Sequence, residues 1–142
     1  MDDSTRGRHL LVTGYVATTA THLLDDPEKL AELLTDVVQV AGMTVLAPPR
    51  MVRVPIDPVK AGSPEDCGGV TGTVILSTSH AAIHTWPLHG RFSFDLYSCH
   101  DFDAGGVVDL LCGKLLMTGG KVIDIDRTPN PALRDRFDTT RL

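Results

Sequence analysis

Between Gly69 and Cys99 the chain reads GVTGTVILSTSHAAIHTWPLHGRFSFDLYSC. This stretch holds the single tryptophan, Trp86, and a hydroxyl-rich run, Ser77-Thr78-Ser79-His80. A serine hydroxyl is a weak nucleophile until a neighbour takes its proton or holds the developing oxyanion. His84 offers an imidazole, which titrates near ~6.5 when unperturbed and suits a base at neutral pH. Cys99 offers a thiol, and thiols are acids that proteins bring close to working pH. Each residue alone has a plainer reading. A serine beside a histidine is ordinarily a solvent-facing pair, a cysteine is ordinarily core, and a tryptophan ordinarily packs. Cys112, on a helix, is read as core, and Cys67 as an incidental loop residue.

A metal reading competes for the histidines. His80 and His84 are spaced as zinc-binding pairs are on helices. The segment reads as strand, however, where positions i and i+4 lie ~13 Å apart. No glutamate stands between them and the chain has no CxxC. No metal is expected.

These residues need a scaffold, and 142 residues make one domain, 1–142, the default. Apolar residues form 42% and charged residues 22%, an ordinary globular balance. The net charge of −5 argues against a nucleic-acid surface. MDDSTRGRH at the start lacks the apolar core of a signal peptide. No apolar run approaches the ~18 residues of a membrane span. Three cysteines at wide spacing make no disulfide framework. A reducing cytoplasm is the expected location, and it would keep Cys99 a free thiol.

Residues 9–17 are apolar and β-prone, a first strand. Asp26-Pro27-Glu28 then signals a helix start. Leu30, Leu33, Leu34, Val37, Val38 and Ala41 follow as one apolar stripe, and Gly42 ends it. Thr44–Ala47 and Met51–Val54 read as short strands, and residues 55–69 as a loop. Val70–Ser77 reads as a strand, with Ala81–Trp86 a further piece of it. In Arg91–Cys99 the residues Phe92, Phe94 and Leu96 take one face, and Ser93, Asp95, Tyr97 and Cys99 the other. Val107–Met117 is a second helix, stopped by Gly119-Gly120, and Lys121–Asp126 a last strand. The tail from 127 to 142 is polar and loose. This order predicts an α+β fold: a two-layer sandwich, mainly antiparallel, with two helices packed on one face of the sheet.

Three features are joined at specific spacings: Ser79-His80, then Ile83-His84-Thr85-Trp86-Pro87, then Phe94-Asp95-Leu96 with Cys99. With Gly69-Val70-Thr71-Gly72 and Gly7-Arg8-His9-Leu10, they resemble the prokaryotic S-adenosylmethionine decarboxylase family, over residues 7–126. The resemblance implies a proenzyme that cuts itself between Thr78 and Ser79 into fragments 1–78 and 79–142. It implies that Ser79 becomes a covalent pyruvoyl group, the pyruvate cofactor, which joins the substrate amine as a Schiff base. It gives His84 the role of processing base, Thr71 that of processing hydroxyl, and Cys99 that of proton donor. It places Trp86 and residue 88 in the substrate pocket. It further implies a cytoplasmic homodimer of cleaved protomers supplying polyamine and spermidine synthesis.

The sequence departs from the family pattern at four positions. Thr71 stands where the pattern has Ser. Thr78 stands where it has Glu or Lys. Leu88 replaces a Glu that holds the ribose hydroxyls, and an unpaired buried hydroxyl costs ~1–3 kcal/mol. Glu65 falls where an aromatic residue stacks on the adenine. With Asp66 it places two carboxylates in the loop, which would favour a cationic substrate. The substrate is therefore S-adenosylmethionine or a basic amino acid, with L-arginine or L-ornithine decarboxylase as the alternative. A second alternative is an uncleaved, non-catalytic binding or regulatory subunit.

Overall fold

The computed structural model describes residues 6–56, 59 and 68–129. Six strands form one antiparallel sheet: β1 (Arg8–Val16), β2 (Arg50–Arg53), β3 (Val70–Leu76), β4 (Ser79–Trp86), β5 (Arg91–Ser98) and β6 (Met117–Asp126), in the order β2-β3-β4-β5-β1-β6. Helices α1 (Pro27–Ala41) and α2 (Ala104–Leu115) pack against each other and on one face. This is the expected α+β sandwich. No described helix is long and apolar enough to cross a membrane.

Strand alternation builds the core. In β3 the burial alternates strictly, with Val70, Val74 and Leu76 inward and Thr71, Thr73 and Ile75 outward. In β5 Phe92, Phe94 and Leu96 are buried, while Ser93, Asp95 and Tyr97 look to the other side. The α1 stripe meets this apolar face with Leu30, Leu34 and Val37 fully buried. Asp26 caps α1 by accepting from the backbone N–H groups of Glu28 and Lys29, each at 3.1 Å. Gly42, at φ 66°, ends it in the left-handed conformation. The sheet's opposite face carries no covering element among the described residues. His9, His80, His84, Trp86, Asp95 and Tyr97 stand on it.

Three local expectations are corrected and one element is added. Val70–Trp86 is not one interrupted strand but a hairpin, with Leu76 paired to Ser79 around the turn Ser77–Thr78. Thr44–Ala47 forms only an isolated bridge, Val45 to Leu76. An eight-residue 3-10 segment at Thr18–Asp25, not foreseen in the sequence, precedes α1, tied to β4 by the Thr85 hydroxyl, which donates to the Leu24 carbonyl at 2.6 Å. Finally, α2 ends at Leu115, with Leu116 left-handed at φ 50°, so Gly119-Gly120 is not its stop. Both glycines lie in β6, paired with Tyr15 and Gly14. A Cβ on Gly120 would strike the Thr13 carbonyl of β1. Gly120 serves strand packing, a demand that a helix-stop reading cannot see.

Candidate active site

The β3–β4 turn gathers three of the predicted residues. Ser79 opens β4, and Thr78 before it is held at φ 54°. Cys99 follows β5 directly; its backbone N–H donates to Ser79 Oγ at 3.4 Å. Thr78 Oγ1 lies 2.8 Å from Cys99 Sγ and donates to the Ser77 carbonyl at 2.7 Å. Cys99 is half-buried and free. His100, not foreseen, places Nδ1 3.0 Å from the same sulfur. Its own N–H is fixed by the buried Ser98 hydroxyl at 3.0 Å.

The other two residues predicted to act in processing form a separate pair. Thr71 and His84 are register partners on β3 and β4, and Oγ1 meets Nδ1 at 3.1 Å. For His84 to act as a base through Nε2, its Nδ1 must carry the proton and donate to Thr71. This pair is five residues along β4 from Ser79, about 16 Å at the usual strand rise. One protomer therefore does not bring His84 to Ser79.

Trp86, half-buried, ends the same strand with the Arg91 guanidinium 4.7 Å over its ring. Leu88 is 76% exposed. It lines a cleft of about 390 Å³ with Ile56, Gly69 and Pro87, at the Thr71–His84 end. Glu65, Asp66 and Cys67 lie outside the described residues. Cys112 is exposed rather than core: it sits on the outer side of α2, its sulfur 3.7 Å from that of Met117. The helix stripe uses Val107, Leu111 and Leu115, and Cys112 falls one position past it. A further cavity of about 380 Å³ lies between Arg8, Asp101, Asp124 and Asp126 and contains none of the predicted residues.

Sequence reasoning also missed an array on the open face. His9 Nε2 and His80 Nε2 each lie 3.3 Å from Asp95 Oδ1, with Tyr97 stacked on His80. Only the register, His9 to Tyr97 to His80, reveals it. The three ligand atoms lie within 4.8 Å of one another. Arg127 Nη1, however, is 3.0 Å from His9 Nδ1. A guanidinium only donates, so His9 Nδ1 accepts and Nε2 carries the proton toward Asp95. A metal-bound imidazole needs the reverse arrangement. The array is wired as hydrogen bonds.

Comparisons with known proteins identify the family. The family model described as S-adenosylmethionine decarboxylase matches residues 8–128. The S-adenosylmethionine decarboxylase proenzyme of Geobacillus sp. (strain WCH70) is 40% identical over 63 residues, 44% of this chain and 51% of that one. The proenzyme of Aquifex aeolicus is 33% identical over 97 residues, 68% of this chain and 62% of that one. The match thus spans between about half and two thirds of these relatives' length. The crystal structure of the adenosylmethionine decarboxylase from Aquifex aeolicus superposes with a TM-score of 0.68 at 27% identity, covering 89% of this chain and 94% of that one. With the family model covering nearly all of the described sheet and both helices, the chain belongs to the S-adenosylmethionine decarboxylase family.

Proposed function

We propose that this chain cuts itself between Thr78 and Ser79, turns Ser79 into a pyruvoyl group, and decarboxylates an amino-acid substrate for polyamine synthesis. The carrying observation is the turn itself. Ser79 begins a strand directly after a left-handed residue, with the Cys99 amide on its hydroxyl and the Cys99 thiol beside Thr78. That donor set fits the group: a serine to derive it from, an N–H to orient it, and an acid next to it. When formed, a pyruvoyl carbonyl supplies the electron sink that decarboxylation of an α-amino acid needs.

The protein's own residues do the rest. Cys99 holds a proton at the turn, ready for transfer to the substrate carbon. His100 is positioned to return one to the sulfur. The Thr71–His84 pair serves processing, where a base must remove a proton from residue 79. Proton transfer needs ~3 Å, and β4 separates His84 from Ser79 by about 16 Å. The reading therefore requires a homodimer. Two copies meeting through their open sheet faces, one reversed against the other, would carry His84 of one to the β3–β4 turn of its mate, where the Thr78–Ser79 bond lies, although the Ser79 side chain itself shares the inward parity of Ala81 and Ile83. The open face also exposes Tyr15, Ile75, Ile123 and Ile125, apolar surface that a second copy would cover.

The relatives' names put S-adenosylmethionine first as substrate. Leu88 in the cleft supports a second reading, a basic amino acid such as arginine or ornithine, because a leucine accepts no hydrogen bond from a ribose. Incubation of the purified protein with S-adenosylmethionine, arginine, ornithine and lysine, each separately, tests the function through released carbon dioxide. Release from one of them identifies the substrate. Release from none, in a protein that also yields no carbonyl trapped by hydrazine, overturns the proposal.

A further inference from the structure

Thr78 and Leu116 are the non-glycine residues with positive φ among those described. Leu116 merely ends a helix. Thr78, at φ 54°, precedes the proposed cut. A β-branched residue is a poor occupant of this region, because its two Cβ substituents crowd the backbone. Turns that need such a φ take glycine or asparagine there. The surroundings nonetheless hold Thr78 in place. Leu76 pairs with Ser79 across the turn, and the Ser77 N–H donates to the Thr44 carbonyl at 2.9 Å. The hairpin over-determines the conformation, the condition under which strain persists.

We propose that Thr78 is a strained residue that drives the self-cleavage, an inference that rests on the self-processing reading above. The reacting bond is the Thr78–Ser79 peptide. Ser79 Oγ bonds to the Thr78 carbonyl carbon, the C–N bond breaks, and the nitrogen takes the hydroxyl proton. Loss of the residue 79 α-proton then breaks the Cβ–O bond, and fragment 1–78 leaves as a carboxylate. Water adds, ammonia departs, and the new terminus keeps a ketone. The Thr78–Ser79 amide that closes the hairpin, and so holds Thr78 at this φ, is replaced at the first of these steps by a longer ester link through Ser79 Oγ. Strain present in the intact chain is therefore released on the way to cleavage. This assigns a function to the family departure at this position: the backbone of Thr78 acts, not a charged side chain.

Three variants separate strain from side-chain contact. Thr78→Gly and Thr78→Asn tolerate positive φ. Thr78→Val keeps the branch but loses the hydroxyl that meets Cys99. Stability is compared in full-length chains that also carry Ser79→Ala and stay whole. There, Gly and Asn raise the folding equilibrium constant at least about threefold over Thr, after allowance for the entropy of glycine. Val gives no rise. With Ser79 intact, Gly and Asn slow the appearance of fragment 79–142 by about the same factor or more, and Val does not. Thr78→Gly and Thr78→Asn chains that are no more stable, or that cut as fast as the wild type, overturn the inference alone. A wild-type chain that never cuts overturns self-processing, and this inference with it.

Discussion

The Thr71 hydroxyl and the His84 imidazole meet at 3.1 Å across two neighbouring strands, at the far end of β4 from Ser79. The residues proposed to process the chain are thus split along one strand. The consequence is a complementation test. Ser79→Ala and His84→Ala homodimers should each stay uncut. Co-expressed, they form mixed dimers in which the His84→Ala chain contributes Ser79 and the Ser79→Ala chain contributes His84. Cleavage should then appear in the His84→Ala chain only, followed by mass spectrometry of the tagged chains. Continued absence of cleavage in verified mixed dimers would rule out a shared site.

Cys99 stands beside the Thr78–Ser79 bond, and the role proposed for it is in turnover and not in cleavage. Cys99→Ala should leave fragment formation within about threefold of wild type. It should lower decarboxylation by on the order of 10²-fold, the scale of general acid catalysis. Gel quantification of processing and carbon dioxide release measure the two effects in one preparation. Unchanged turnover would remove Cys99 from the mechanism.

The sheet, both helices and the face assignments of β5 were legible in the sequence, because alternation and the helical stripe report which side each residue takes. The Asp26 cap and Gly42 stop worked for the same reason: their chemistry is local. The β3–β4 hairpin was not legible. Its two-residue turn, Ser77–Thr78, lacks the Gly or Asn that such turns advertise, and the Thr at positive φ hides it. The His9–Asp95–His80 array depends on register across three strands, which no window of sequence contains. Residues 71, 79, 84 and 99 were named through family resemblance. That they fall into two clusters follows only from the strand that separates them.

Gly69 fixes where β3 begins, and so where Thr71 sits. It has φ +94°, and a Cβ there would collide with the Thr85 carbonyl oxygen, a backbone atom that cannot turn aside. The next residue, Val70, donates its N–H to Thr85 Oγ1 at 2.8 Å. Gly69→Ala should destabilise the fold by about 2 kcal/mol or more, combining backbone strain with a displaced buried hydrogen bond. Chemical denaturation of the Ser79→Ala background measures this. An unchanged midpoint would show that the two strands separate freely at that point.

The pairing of β1 with β6 carries a pH signature. The Arg8 guanidinium donates to Asp124 at 2.6 and 3.0 Å and holds its carboxyl below the ordinary aspartate range, with partial burial opposing. A carboxylate depressed in the folded state stabilises the fold above its unfolded value, near ~4, and that contribution is lost as pH falls through the lower folded value. Thermal unfolding between pH 2 and 7 should therefore decline on the acid side. Asp124→Asn should decline less steeply there. Arg8→Ala is the poorer probe, because Arg8 also donates to the Phe102 carbonyl at 2.8 Å. Identical profiles for wild type and Asp124→Asn would contradict the assignment.

Whether the peptide bond between residues 78 and 79 survives in the purified protein decides the central question. A denaturing mass spectrum of freshly purified and long-incubated protein reads it directly. Two species are expected, one ending at Thr78 and one beginning at residue 79 with a terminus blocked to Edman chemistry and reducible by borohydride. A single mass for the whole chain, unchanged with time, would contradict self-cleavage.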